Sequence, residues 1–177
     1  MKMDAKTIFR KFGSLLILLI LMVCMEILSN KFFTLSNLKN IGIQSSVNII
    51  LSFGMLMVII IGGIDLSIGA ILALSGIVAA YMMKAGVPIP VALIVSCIVG
   101  AALGAINGFV VTFMKLPPFV ATLGTTGVFR GTALLITEGL PVSQLPEGIR
   151  GIGQGTFLKI PNPIVIMVIV AIVVHVL

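Results

Sequence analysis

The chain has 177 residues, of which 59% are hydrophobic and 9% charged, with a mean hydropathy of +1.31. A soluble domain carries roughly 25% charged residues, so the composition excludes a soluble globular fold. It leaves an all-α, polytopic transmembrane helical bundle, because backbone in lipid satisfies its polar groups within helices. The net charge of +6 does not point to nucleic acid, since the basic residues cluster on no face long enough to follow a phosphate backbone.

In chain order, residues 1–12 form a basic lead-in. Lys2, Lys6, Arg10 and Lys11 precede the first apolar run, the pattern of a cytoplasmic N-terminal segment under the positive-inside rule. Residues 13–177 are the transmembrane domain. The first span is Gly13 to Leu28. The stretch after it, starting at Glu26, offers no small-x-small cleavage site, so this is a retained span rather than a signal peptide. Residues 29–40 are a polar connector in which Ser36 or Asn37 is expected to cap the next helix, and Phe32 and Phe33 suit a membrane interface. The second span, Ile41 to Ile61, carries Gln44, Ser45, Ser46 and Asn48 in its first half. Polar groups at that depth face other helices or water, so interhelical hydrogen bonding and solute contact both stand for Asn48.

The most informative stretch runs from Gly62 to Ala80. It carries Asp65, one of five acidic residues in the chain. An ionised carboxylate at membrane depth costs several kcal/mol unless paired, capped or hydrated. Gly62 and Gly63 let the backbone leave helical geometry. Asp65 is then placed to act as N-cap of a third span, Ile64 to Met83, with Ser67 adding a local bond. Gly69, Ala73, Gly76 and Ala80 follow at small-xxx-small spacing, which lets helices approach closely in lipid. The expectation is a broken or restarted transmembrane helix with a polar break, set against a plain capped helix start.

Lys84 to Pro90 is a turn. The fourth span, Val91 to about Met114, contains Gly100, Gly104 and Gly108 in a double GxxxG row, expected to face another helix; Asn107 lies beside it. Lys115-Leu-Pro-Pro is a connector, because proline disfavours helix at the residue before it and starts a new helix easily. The fifth span, Phe119 to about Thr137, contains Gly124, Gly127, Gly131 and Arg130. Arg130 sits about 18 Å along the axis from Pro118 at 1.5 Å per residue, where it snorkels to the interface or lines an aqueous path. Glu138 to Pro163 is expected to be a long polar loop. Ile164 to Leu177 is apolar but shorter than the about 20 residues a span needs. The expectation is therefore five full helices, a truncated sixth and no β-sheet. With the N-terminus inside, loops 29–40, 84–90 and 138–163 fall outside and those near 62 and 115 inside.

Several chemistries lack their residues. No GxxxxGK[ST] is present, so no P-loop binds ATP phosphates. His175 is the sole histidine, which excludes histidine-rich metal sites and any convincing Ser-His-Asp set. Cys24 and Cys97 lie in apolar runs and read as small hydrophobes, not as a disulfide or a metal pair. No cofactor, no metal and no catalytic residue is expected.

The residues already singled out resemble those of a known family. Gly62-Gly-Ile-Asp-Leu-Ser-Ile-Gly-Ala resembles the GGIDLS-type segment of the ribose-type permeases of bacterial ABC importers. Asn107-Gly-Phe-Val-Val-Thr, Lys115-Leu-Pro-Pro-Phe-Val-Ala-Thr-Leu-Gly-Thr and Arg130-Gly resemble its next block. Phe33-Thr-Leu-Ser-Asn-Leu-Lys-Asn-Ile resembles its first connector, and Gly139-Leu-Pro-Val-Ser the start of its outer loop. The resemblance implies a multi-pass subunit of the bacterial cell membrane, not itself an enzyme. A second permease subunit would share the translocation path, with cytoplasmic ATP-binding subunits below, an extracytoplasmic solute-binding protein above, and a monosaccharide or related small solute as cargo. Members of that family are much longer, and the cytoplasmic coupling segment and later helices have no counterpart here, so the chain is expected to be an N-terminal part. The candidate path or structural-motif residues are Asn48, Gly62, Gly63, Asp65, Ser67, Asn107 and Arg130. Gly69, Gly76, Gly100, Gly104, Gly108 and Gly124 are candidates for helix packing. A small secondary transporter or channel, and a truncated non-transporting membrane protein, remain as alternatives.

Overall fold

The computed structural model describes residues 5–176, with side chains from residue 12 onward. Lys2 of the basic cluster therefore lies outside the described residues, as do the side chains of Lys6, Arg10 and Lys11. Helices dominate: α1 (Ala5–Leu28), α2 (Leu35–Ile60), α3 (Ile68–Lys84), α4 (Ile89–Phe113), α5 (Pro118–Thr137), α6 (Glu147–Gln154) and α7 (Asn162–Val176). Among the described residues, α2, α4 and α5 are long and apolar enough to cross a membrane, and Phe12–Leu28, α3 and α7 are shorter apolar helices. The expected spans thus appear as helices at the expected places. The third is shorter than expected, because residues 64–67 are not helical.

Two strands, β1 (Thr156–Phe157) and β2 (Ile160–Pro161), pair antiparallel, which corrects the expectation of no β-sheet. The rule that forbids open sheet edges applies to lipid-exposed backbone, and this hairpin belongs to the long polar connection between α5 and α7. Leu158 and Lys159 take φ of 50° and 68°, the positive values a two-residue primed turn needs. The usual Asn-Gly or Asp-Gly signal is absent, so the sequence pattern does not announce it. The same connection also contains α6, where a plain loop was expected. Pro146 precedes α6 and Glu147 stands in its first turn, which suits the positive end of the helix dipole.

The chain divides into two compact units, one up to Ser45 and one from Ser46. In the first, the α1–α2 connector is held by its own side chains. Phe33 N–H donates to Glu26 Oε2 at 3.0 Å and Asn37 Nδ2 donates to the Phe32 carbonyl at 2.8 Å. Thr34 Oγ1 accepts from Asn37 N–H at 3.4 Å, so Thr34 caps α2, and not Ser36 or Asn37, which lie inside the helix.

In the second unit, α3, α4 and α5 pack together. Ala70, Leu74, Phe129 and Ala133 form one buried cluster, joined by Ile71, Ile77 and Leu103; Ala79, Met83 and Ala92 form another, joined by Met82, Ile89 and Ile149. Small alanines permit the close approach. Of the stripe expected on spacing, Ala80 is buried while Gly69, Ala73 and Gly76 are exposed; the rest of the contact face of α3 is Ala70, Leu74, Ser75, Ala79 and Met83. Of the Gly100–Gly104–Gly108 row, only Gly100 meets another helix. A Cβ there would lie 3.8 Å from Ile71 and 3.9 Å from Ser75, whereas one at Gly69, Gly76, Gly104, Gly108 or Gly124 meets nothing within 4 Å. Among the described residues the expected glycine-mediated contact is thus corrected to Gly100 alone, because α3 meets α4 farther on through Leu103 and Asn107 rather than through Gly104 and Gly108.

Tyr81, in the last turn of α3, donates its hydroxyl to the Ile136 carbonyl in the last turn of α5 at 3.0 Å, so α3 and α5 run parallel. Ala92, at the start of α4, packs on the end of α3, so α4 runs antiparallel to both. The turns near residues 62 and 115 therefore share one end of this three-helix layer. Those near 86 and 138 share the other.

Candidate functional site

The polar break at 62–67 is built by backbone constraints. α2 ends where Gly62 adopts φ +81°, a left-handed conformation that glycine takes without penalty. Gly62 N–H and Gly63 N–H return to the carbonyls of Ile59 and Val58, each at 2.9 Å, which closes the helix. Gly63 is buried, and a Cβ on it would stand 3.0 Å from Val58 Cγ1 and 3.7 Å from Pro118 Cβ. A side chain there would press on Val58 at the end of α2.

Asp65 is not the N-cap; Ser67 is. This corrects the expected role: the chain is not helical from Ile64 to Ser67, so the helix starts two residues later than a cap at Asp65 requires. Asp65 instead organises the capping residue. Its Oδ1 accepts from Ser67 N–H at 2.7 Å and from Ser67 Oγ at 2.6 Å. Fully buried Ser67 Oγ in turn accepts from Asn107 Nδ2 at 2.6 Å. The direction of this chain is forced, since the carboxylate only accepts and the serine hydroxyl has a single hydrogen to give it. Asn107 must therefore present its amide N–H to Ser67 and turn its carbonyl oxygen away. That oxygen, Asn107 Oδ1, is buried and has no hydrogen-bond partner.

Thr122 is the residue that sequence reasoning missed. It is 3% exposed. Its Oγ1 accepts from Leu66 N–H at 3.2 Å and lies 3.1 Å from the Ile64 carbonyl and 2.8 Å from the Pro118 carbonyl. One hydroxyl thus holds the non-helical segment against the first turn of α5. The signal was present: a polar residue one turn after a helix-starting proline, in an otherwise apolar stretch, needs a buried partner.

Gly63, Asp65, Gly104, Asn107, Gly108 and Thr122 line one cleft of about 250 Å3, completed by Thr112 and by apolar side chains of α2, α4 and the connectors. Ser67 stands behind it through Asn107. The structure thus brings Gly62, Gly63, Asp65, Ser67 and Asn107 together and adds Thr122. It leaves out Asn48, which is exposed farther back on α2. It also leaves out Arg130, which is exposed on α5 beside a separate groove lined by Gly69, Ala73, Ala133 and Thr137, with no carboxylate in the lining. Among the described residues no cluster of three or more His, Cys, Asp or Glu side chains could hold a metal ion.

Residues 37–177 match the family model described as "branched-chain amino acid transport system / permease component". The chain belongs to this permease family. Individual relatives sharpen the comparison. The D-allose transport system permease protein of Escherichia coli K12 is 41% identical over 92% of the chain and 51% of its own length. The ribose import permease protein of Bacillus subtilis 168 is 44% identical over 96% of the chain and 53% of its own length. The autoinducer 2 import system permease protein of Photorhabdus luminescens is 30% identical over 85% of the chain and 46% of its own length. The chain spans about half the length of these curated relatives. No solved structure matches. Membership of the permease family and the apolar helices together make this a multi-pass membrane protein, and its relatives are transport permeases.

Proposed function

We propose that this chain supplies membrane-spanning helices to the permease subunit of an ATP-driven importer for a monosaccharide or related small solute. The observation that carries the reading is similarity over about nine-tenths of the chain to permeases named for allose and ribose. The partners follow from that reading: a second permease subunit, cytoplasmic ATP-binding subunits that hydrolyse ATP, and an extracytoplasmic solute-binding protein. The membrane is the bacterial inner membrane and the N-terminus is cytoplasmic. Under that orientation, the Asp65–Ser67–Asn107 cleft sits at the cytoplasmic end of the three-helix layer and Arg130 in its outer half.

The test is uptake of radiolabelled ribose and allose by a permease of full family length carrying this sequence, expressed with its ATP-binding and solute-binding partners. Uptake should require ATP and survive collapse of the proton gradient. Uptake that follows the gradient without ATP would instead identify a secondary transporter, and membrane insertion with no uptake of either sugar would identify a non-transporting protein.

A further inference from the structure

The polar connection between α5 and α7 carries an apolar cluster that the transport reading does not use. In the hairpin of β1 and β2, Phe157 is 61% exposed, Leu158 80% and Ile160 48%, and Lys159 among them is exposed too. Phe157 and Ile160 stand opposite each other across the ladder, which puts both side chains on one face, next to Leu158 at the turn. A lone two-stranded hairpin is marginally stable in water and needs its apolar face covered. Hydrogen bonds set the level at which this hairpin stands. Asn162, the first residue of α7, follows β2 directly. Its Nδ2 donates to the Gly151 carbonyl at 2.8 Å and its N–H to the Gly155 carbonyl at 2.9 Å. Two residues before Gly151, Ile149 packs with Met83 at the end of α3 and Ile89 at the start of α4. The start of α7 therefore stands level with those helix ends, where the apolar helices leave the hydrocarbon.

From Pro161 the turn is two residues farther on, about 7 Å at strand rise. The headgroup layer is about 5–7 Å deep on each side, half the difference between a whole bilayer and its hydrocarbon core. The tip thus lies in or beside the headgroup layer whichever way the hairpin points. We propose that the turn Phe157–Leu158–Lys159–Ile160 is a lipid-binding site, seated at the headgroup–acyl boundary on the α6 side of the membrane. Phe157, Leu158 and Ile160 enter the boundary, and Lys159 turns back to the phosphate of an anionic phospholipid, as long basic side chains do at this depth. The occupant is lipid because the hairpin adjoins α7, an apolar helix with no buried residue among those described, so both present apolar surface to the same medium. Water in the headgroup layer satisfies the free strand edges, and the rule against open edges in hydrocarbon is kept. Pro161 has no N–H to leave unpaired. Anchored in this way, the hairpin fixes the depth at which α7 enters, and the two bonds of Asn162 tie that depth to α6.

The chain contains no tryptophan, so Phe157→Trp supplies a single reporter at the tip. The test places the 177-residue chain with this change in nanodiscs of phosphatidylcholine and phosphatidylglycerol, which open both membrane faces to solution. Acrylamide reports access from water. Phosphatidylcholines brominated near the top or near the end of the acyl chain report depth. Acrylamide quenching should be on the order of fivefold weaker than for N-acetyltryptophanamide, and shallow bromines should quench more than deep ones, as for side chains about 5–10 Å into the boundary. Indole itself favours the interface, so two further changes separate the hairpin from its reporter. Leu158→Asp in the same chain should raise acrylamide quenching roughly threefold. Lys159→Glu should raise it in nanodiscs that contain phosphatidylglycerol and much less in pure phosphatidylcholine. Acrylamide quenching equal to that of the free amide overturns the proposal. So does protection from both acrylamide and bromolipid, which would place a protein surface over the tip, and so does unchanged quenching in the Leu158→Asp chain. Equal effects of Lys159→Glu in the two lipids overturn the phosphate contact.

Discussion

At the residue scale, the cleft is held by two side chains that can be tested separately. Thr122 Oγ1 satisfies one backbone N–H and approaches two carbonyls, so Thr122→Val leaves Leu66 N–H unpaired and a buried methyl where the hydroxyl stood. The expected cost is about 1–3 kcal/mol; Thr122→Ser, which keeps the hydroxyl, should cost much less. Unfolding of the purified variants by denaturant checks both. Asp65→Ala removes an ionised acceptor from Ser67 N–H and Oγ, and about 1.5–3 kcal/mol is expected for hydrogen bonds to a charged group. Asp65→Asn should fold nearly as well as wild type, since an amide oxygen accepts the same bonds. In a full-length permease with its partners, an Asn variant at normal membrane abundance but without uptake would make the charge itself the functional feature, which is a separate question from folding. Arg130 lines a groove without a carboxylate, so its long stem and terminal charge are what Lys preserves. Arg130→Lys should retain uptake, and a large loss would indicate planar pairing with a carboxylate in another chain or segment.

At the scale of elements, the three glycines of α4 are not equivalent. Gly100 packs against Ile71 and Ser75 of α3 at ordinary contact distance, so Gly100→Ala should be accommodated. Gly100→Leu should separate α3 from α4 and lower the unfolding midpoint. Gly104→Leu has open space and should leave folding of this chain close to normal. The measurement is the ratio of folded to aggregated protein after detergent extraction; equal damage from both Leu variants would show that Gly104 meets a partner helix. Spacing alone treats all three as one interface because it specifies which residues share a face, not which of them the neighbouring helix touches: farther along α4, α3 meets Leu103 and Asn107 instead. The same limit explains α3. Its small residues recur at the expected interval, yet of them only Ala80 is buried, beside Ala70, Leu74 and Ala79.

At the scale of the molecule, parallel α3 and α5 with antiparallel α4 place the turns near 62 and 115 at one end and those near 86 and 138 at the other. Ile149 of α6 joins the cluster of Met83 and Ile89, so α6 belongs to the second end. Single cysteines at Lys115 and Gly148, introduced after replacing exposed Cys24 and Cys97 with alanine, should react with a membrane-impermeant reagent from opposite sides. With the N-terminus cytoplasmic, Gly148 reacts from outside and Lys115 from inside. Labelling of both from the same side would refute the packing of α3, α4 and α5; reversal of both would refute only the orientation.

What the sequence determined by itself was the membrane class, the positions of the long apolar helices, the break at Gly62–Gly63 and the family. These rest on composition, on runs of apolar residues and on local backbone rules, all of which act within a few neighbouring residues. The tertiary structure decided what depends on partners distant along the chain. Asp65 lies near the helix start in sequence, but whether it caps α3 or orders Ser67 depends on where Thr122, 56 residues from Leu66, pins the non-helical segment. The orphan oxygen of Asn107 arises from a directional chain of hydrogen bonds between α3 and α4, and no spacing rule encodes its direction. The hairpin at residues 156–161 turns on two residues with positive φ that carry no turn signal. Short-range physics was legible because its causes are adjacent in the sequence; the cleft was not, because its walls come from three helices whose rotation and depth are set only when they pack.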